Sequence, residues 1–375
     1  MKIRILDSLG AIDAAGWNAI VAARADGNPF LRHEFLHAMH ATGCASAQAG
    51  WQPQFVTAWD GPNLAGFMPL YLKDHSYGEY VFDWAWADAY QRHGLQYYPK
   101  LLAAIPFSPV SAPKLVAMTG AARDALCAAV MEVAQATSSL HILFPDQVDE
   151  AALAERGMMT RRGVQFHWTN DGYRDFDDFL ARFSHDKRKK IKQERRKVRE
   201  AGITFVHKVG AAISPDDWAF FNKCYRNTYR AHQSTPYLNL AFFRTLGATL
   251  PENVMVVIAM REGEPIASTL NIFTAGTLWG RYWGALEYHP ALHFEACYYQ
   301  ALEFCIARGI KVFEGGAQGE HKLARGFMPV ETRSLHWLKH PQFADAVEKF
   351  LQREAQGVGN YIDELREHAP FRAEP

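Results

Sequence analysis

The sequence predicts an α/β protein built from two halves, and three observations lead there. Short apolar runs bounded by Gly, Pro, Asp and Asn alternate with stretches of helical period in both halves. Near residue 170 the composition shifts to DGYRDFDDFLARF (171–183), and a strongly charged helix follows. With 375 residues and 49% apolar composition, the chain can fill more than one core. The expected domains are 1–170 and 171–375, the second opening with the basic helix and carrying the active site.

In the first half, PQFVTAWD, AGFMPLYLKD and YVFDWAW, within residues 51–86, read as adjacent strands. ARDALCAAVMEVAQAT (122–137) repeats apolar residues at helical spacing, and HILFP (141–145) is a strand stopped by Pro145. In the second half, HDKRKKIKQERRKVREAG (185–202) reads as a helix that Ser184 or Asp186 can cap at its start and Gly202 at its end. VMVVIAM (254–260), PIASTLNIFTA (265–275) and TLWGRYWGALEY (277–288) follow as three strands, with turns at Glu262-Gly263-Glu264 and at Gly276. Pro290 opens a helix that runs through Arg308, Gly309 closes it, and KVFEGG is the next strand.

Lys plus Arg and Asp plus Glu each number 40, so the formal charge is zero and any electrostatic attraction must be local. The five cysteines, Cys44, Cys127, Cys224, Cys297 and Cys305, are scattered and form no CxxC pair, which argues against a disulfide framework or a thiolate zinc site. Asp7 and Asp13 interrupt the N-terminal apolar residues, and no uninterrupted run is long enough to span a bilayer. A cytoplasmic protein is expected.

Between Lys187 and Arg199 the basic helix holds nine Lys/Arg and one Glu. Its apolar anchors, Phe183, Ile191 and Val198, lie within about 80° on a helical wheel, a single thin stripe. One reading is a solvated face. The other is a phosphate-facing surface through which Lys187, Arg188 and their neighbours meet tRNA, a lipid pyrophosphate or a membrane headgroup. No aromatic residue interrupts the run, which speaks against base stacking.

HEFLH (33–37) matches the HExxH pattern, in which His33 and His37 would share a helix face around zinc with Glu34 as base. The extended form of that pattern wants glycine where His40 stands, and no glutamate follows at helical spacing to complete the ligands. A zinc hydrolase is therefore kept only as an alternative, and no metal is expected.

Chemistry concentrates late in the chain. FEGGAQGEHKLARGFMPVE (313–331) ends a strand in Gly315 and Gly316 and then supplies Gln318, Glu320, His321, Lys322 and Arg325. Glycines let a ligand approach backbone closely, and their amides can bind an oxyanion or phosphate. His321 suits proton transfer near neutrality, and Lys322 and Arg325 suit an anionic group. Upstream, HFEACYYQALEFCIARG (293–309) is apolar nearly all round, so it reads as a buried helix with His293 and Glu295 in its first turn. Arg281, Tyr282 and Trp283 on the preceding strand, with Tyr298 and Tyr299 on the helix, are large amphipathic groups suited to a cleft.

Taken together, NPFLRHEFLHAM, IPFSPV, SSLHILFP, QFHWTNDGYRDFDDFL, KRKKIKQERRKVREAGI, GRYWG, LHFEACYYQALEF and GGAQGEHKLARGFMPV resemble the FemAB-like predicted N-acyltransferases, a bacterial peptidoglycan biosynthesis/recognition group in the GNAT-like superfamily. The resemblance runs from about residue 5 to 352, and its last two motifs are the most specific. It implies two tandem GNAT-like domains, each a mixed, mostly antiparallel sheet flanked by helices, and acyl or aminoacyl transfer to an amine. No permanently bound cofactor is implied; acyl-CoA or aminoacyl-tRNA would be the co-substrate. Ordinary GNAT enzymes hold the CoA pyrophosphate on a glycine-containing loop, and the matching place here, residues 289–296, has no glycine, which leaves the donor open.

The expected catalytic residues are thus His321, with Glu320 or Glu295 as the alternative base, and Tyr282 or the Gly315 and Gly316 amides at the oxyanion. Arg281, Trp283, His293, Tyr298, Gln318, Lys322 and Arg325, with Lys187 and Arg188, are the expected substrate contacts. The expected partners are an amine acceptor, small or peptidic, and tRNA or anionic lipid on the basic helix. A non-catalytic module recognising a cell-wall precursor, lipid or RNA is the competing reading.

Overall fold

The computed structural model describes residues 1–317 and 319–372. They form two compact units, Met1–Gly163 with Glu331–Asn360, and Val164–Val330 with Tyr361–Pro375. The first border falls close to the compositional shift near 170. No shift announces the return of 331–360 to the first unit, so a single cut at 170 does not describe it.

The first unit contains β1 (Lys2–Leu6), α1 (Ala14–Arg24), α2 (His33–Ala41), β2 (Trp51–Pro53), β3 (Phe55–Asp60), β4 (Asn63–Met68) and β5 (Leu70–Lys73). It continues with α3 (Trp84–Arg92), β6 (Lys100–Ala103), β7 (Val116–Ala117), α4 (Gly120–Ala134), β8 (Ser139–Leu143) and α5 (Gln147–Ala154). Strand β9 (Met159–Thr169) carries the chain into the second unit. There follow α6 (Phe176–Ala181), α7 (His185–Glu200), β10 (Ile203–Val209), α8 (Pro215–Ala231), α9 (Leu240–Thr249), β11 (Val254–Arg261), β12 (Glu264–Phe273) and β13 (Thr277–Ala285). A broken helix comes next: α10 (Leu292–Phe294), a π-helical turn (Glu295–Tyr299) and α11 (Gln300–Arg308). Strand β14 (Val312–Glu314) precedes β15 (Met328–Leu338) and α12 (Pro341–Glu367).

In the first unit, β2, β5, β6, β8 and β15 lie side by side, antiparallel except for β6 and β8. A separate antiparallel sheet orders β1, β3, β4 and β7. Residues 80–86, expected as a strand, instead lead into α3. Trp84-Ala85-Trp86-Ala87 favours helix, and Asp83 occupies the N-cap position.

This unit buries charge as well as hydrocarbon. Lys73 and Lys100 face each other across β5 and β6, and both are fully buried. Lys100 Nζ donates to Ser76 Oγ (2.7 Å), to Glu79 Oε2 (2.8 Å) and to Asp83. Lys73 Nζ sits 3.9 Å from the centre of the Trp51 ring, and burial draws its pKa down to about 7. Buried ions need such partners, because an unpaired one costs several kcal/mol.

The HEFLH segment does form a helix, and His33 and His37 do share a face, their ring centroids 5.4 Å apart. Two of the three groups a zinc site would need are already engaged: His33 Nε2 contacts the Leu9 carbonyl (2.9 Å), and Glu34 accepts from Asn18 and Arg32. Among the described residues, no cluster of His, Cys, Asp or Glu is arranged to hold a metal ion.

The second unit is a mixed, mostly antiparallel sheet in the order β10, β11, β12, β13, β14, β9. The β11–β12 turn places Glu262 (φ 53°) and Gly263 (φ 85°) in the left-handed region, the pair of conformations a tight hairpin turn needs. Helix α8 lies directly on β13: a Cβ on Gly284 would come 2.0 Å from the Cys224 carbonyl oxygen. Behind the sheet, Trp168, Phe179, Phe183, Tyr299, Phe313 and Phe327 belong to one buried core.

Candidate active site

Two irregularities on β13 shape the site. Strands β13 and β14 are parallel over only Thr277↔Val312, Leu278↔Phe313 and Trp279↔Glu314. Beyond Glu314 the second strand ends while β13 continues to Ala285, so a gap opens along that side. At the same level the β12–β13 register jumps from Leu270↔Tyr282 to Asn271↔Gly280, leaving Arg281 as the extra residue of a bulge. Glycine suits both positions: a Cβ on Gly280 would lie a tight 3.1 Å from the Phe313 ring, and Gly316 adopts φ 87°.

The broken helix faces this gap. Its π-helical turn widens the backbone by one residue at Glu295–Tyr299, a feature common at functional sites. From it Tyr298 points its hydroxyl at His321 Nε2, 3.0 Å away. His321 also meets Phe294 (5.6 Å between centroids) and His293 (6.0 Å), and His293 packs edge-on against Trp283 (5.1 Å). Trp283, His293, Tyr298 and His321 therefore form one cluster. Burial, then the Lys322 and Arg325 cations, hold His321 below its ordinary pKa, and similar causes bring His293 to about 4. Both rings are neutral near pH 7. Burial raises Tyr298 far above its usual value, so its hydroxyl keeps its proton.

Lys322 lies inward with 2% of its surface exposed. Its stem packs on Gly315, where a Cβ would meet Cδ at 3.1 Å, and its Nζ donates to the Gly316 carbonyl at 3.1 Å. Burial pulls its pKa down to about 8. The Gly315 N–H is spent on the Phe166 carbonyl (3.4 Å), whereas the Gly316 N–H has no acceptor among the described residues.

Other expected residues are placed differently. Arg325 is buried, its Nη2 donating to both Glu194 oxygens (2.8 and 2.9 Å) and its Nη1 to the His321 carbonyl (2.7 Å), with the guanidinium 3.4 Å over the Phe294 ring. It braces the loop instead of presenting its charge to a ligand. Glu295 is gripped by Arg195 (3.0 to 3.2 Å) and Gln300 (2.8 Å), with Arg195 also reaching Glu303 (2.8 Å). These bonds occupy both of its carboxylate oxygens. Glu320 accepts from the Tyr361 hydroxyl. Tyr282 packs on Tyr225 (5.1 Å) beneath Arg281. Lys187 is exposed and Arg188 half-buried on α7, without ion pair or hydrogen bond to the His321 cluster. Gln318 lies outside the described residues.

Sequence reasoning missed the braces Glu194 and Arg195. Their signal was present: Glu194 is the lone acid in the cationic run, beside the thin stripe that Ile191 and Val198 bury. A cleft of about 550 Å³ begins at Trp283, His293 and Phe294, with Leu286, Tyr288 and Leu292 among its walls. The thiols are not poised for attack, since burial pushes Cys297 and Cys305 upward.

A family model described as FemAB-like, peptidoglycan biosynthesis/recognition, matches residues 8–373. The chain belongs to the FemAB-like family. It is an acyltransferase of that group. Among solved structures, FemX aligns at 10% identity over 93% of this chain and 100% of its own, with TM-score 0.57. The C-terminal domain of a putative lysylphosphatidylglycerol synthetase from Agrobacterium fabrum aligns at 11% identity over 90% of this chain and 95% of its own, with TM-score 0.55. L-PGS from Bacillus licheniformis gives 10% identity, 90% and 97% coverage, and TM-score 0.54. At these identities the likeness is one of fold, and it agrees with the expected α/β class of mixed, mostly antiparallel sheets flanked by helices. None of the curated proteins matches the chain.

Proposed function

We propose that the second unit of this FemAB-like protein transfers an activated acyl or aminoacyl group to an amine, with His321 as general base. The observation that carries this is the His321–Tyr298 pair beside the gap between β13 and β14. With Nε2–H donated to the Tyr298 oxygen, the Nδ1 lone pair of neutral His321 is left to take a proton from an ammonium acceptor. The freed amine attacks the donor carbonyl, and the oxyanion is met by the Gly316 N–H and the Lys322 ammonium. Collapse forms the amide bond and breaks the donor's ester or thioester. His321 passes the ammonium proton to solvent, takes the second proton from the attacking nitrogen of the tetrahedral adduct, and delivers it to the leaving alkoxide or thiolate, so one proton is released per amide formed. Holding both substrates in one cleft supplies much of the acceleration.

An aminoacyl ester is the favoured donor. Ala291 occupies a left-handed cap (φ 67°) where the helix begins, and side chains fill residues 289–296, where pyrophosphate approach favours glycine. The family's description points to an amine of peptidoglycan-precursor type as acceptor. No helix among the described residues is long and apolar enough to cross a membrane. Labelled aminoacyl-tRNA and acyl-CoA, each offered with amine acceptors and read by mass spectrometry, test the reading. Transfer from aminoacyl-tRNA that disappears in His321→Ala is expected; transfer from acyl-CoA alone reassigns the donor. Transfer unchanged in His321→Ala removes the base assignment.

A further inference from the structure

We infer that the outer face of α7 and the slot beside it form a docking site for an anionic phospholipid surface, independent of the acyl-transfer chemistry. The chain carries no net charge, yet nine of its cations stand in one helix. The inner face of that helix is fixed: Ile191 and Val198 are buried, Glu194 grips Arg325, and Arg195 grips Glu295. The remaining cations turn outward. Lys187, Arg188, Lys189, Lys190 and Lys197 make no ion pair with a described residue, and Lys192 reaches only exposed Asp177 (3.6 Å). Cations at i,i+4, such as Arg188 and Lys192, repel one another along such a face. An opposing array of phosphates relieves that repulsion.

The slot distinguishes lipid from other polyanions. It encloses about 490 Å³ along α7, with an apolar wall of Phe176, Leu180, Val198, Ile203 and Phe205 and a polar side where Glu295 is bonded to Arg195 and Gln300. Lys192 and Arg199, one above the other two helical turns apart, stand at its mouth with Asp177. An apolar wall beneath a cationic rim matches a phosphate headgroup with its hydrocarbon chain laid along that wall. Nucleobases would need an open aromatic face, but the Arg195 guanidinium covers Phe176 at 4.5 Å, and the exposed face of α7 has no aromatic residue. Electrostatic attraction of cations to an anionic leaflet needs no insertion of the helix itself.

The test is co-sedimentation of the full chain with phosphatidylcholine vesicles, with and without phosphatidylglycerol. Three variants are compared: wild type, the outward quadruple variant Lys189→Gln/Lys192→Gln/Arg196→Gln/Arg199→Gln, and Phe205→Gln. Binding only to phosphatidylglycerol vesicles is expected, weakening with salt and falling roughly 100-fold or more in the quadruple variant. Phe205→Gln should weaken binding severalfold while leaving the salt slope intact, with an unchanged far-UV spectrum confirming the fold. Competition by free glycerol phosphate would assign recognition to the headgroup alone and overturn chain entry, as would full binding by Phe205→Gln. No vesicle binding, equal binding by the quadruple variant, or binding to tRNA but not to vesicles overturns the lipid assignment. Because acyl transfer is assayed in solution without vesicles, loss of docking and failure of the His321 reading are told apart.

Discussion

Replacing Lys322 by Met should make the protein more stable and less active at once. The amine is 2% exposed, and burial lowers its pKa from 10.5 to about 8, which corresponds to about 3 kcal/mol against the charged form. Met keeps the length of the stem over Gly315 and removes the charge. Losing the bond to the Gly316 carbonyl returns about 1–2 kcal/mol of that gain. The net expectation at pH 7 is a stabilisation of about 1–2 kcal/mol. The sign with pH follows from proton binding. The unfolded lysine keeps its proton up to about 10.4, while the folded one releases it near 8. Between these values the unfolded chain binds more protons, so wild-type stability rises with pH and falls again as pH drops through 8. Lys73, drawn down to about 7, adds a similar slope, so the readout is the difference between wild type and variant. Urea unfolding near pH 7 and near pH 10 measures it. A variant less stable than wild type at pH 7, or a difference that does not shrink by pH 10, would refute the reasoning.

His321→Ala should reduce turnover about 100- to 10,000-fold and remove the acidic limb of the pH–rate profile, which in wild type should rise through a pKa below 6.5 and decline near 8 as Lys322 loses its proton. Gly319→Ala should cripple the same step with little change in melting temperature, because its Cβ would lie 2.5 Å from the His321 ring at φ 120°. Arg195→Met should cost about 3 kcal/mol in urea unfolding by leaving Glu295, 3% exposed, as a buried unpaired carboxylate.

The sequence disclosed what local rules control. The β11–β12 turn was readable from Glu262-Gly263 because the required positive φ values narrow the choice of residues. The buried helix of 293–309 was readable from its apolar surface, although the π-helical turn that aims Tyr298 leaves no periodic trace. Assigning ligands to charges was less secure. Arg325 and Glu295 have the residue types of a binding cation and a base, but whether a charge meets substrate or a partner depends on helix α7, more than 90 residues away from either. Such pairing is set by tertiary packing, which spacing along one segment does not report. Lys322 differs in that its stem packs on Gly315 of its own segment, seven residues earlier.

The return of residues 331–360 to the first unit has a consequence for how the chain is made. Strand β8 has β6 on one side and, on the other, β15, paired from Ser334↔Leu143 to Leu338↔Ser139. Leu338, Val347 and Leu351 also complete the small core around Trp86, Tyr90 and Tyr97. A ribosome adding 5–20 residues per second needs roughly 10–30 s to pass from the end of the first segment to β15. Throughout that interval β8 offers an open edge of backbone donors and acceptors, the template on which neighbouring nascent chains join strand to strand. Yield in the cell should therefore respond to translation speed and to chaperones that shield strand edges, even for variants whose folded stability is unchanged.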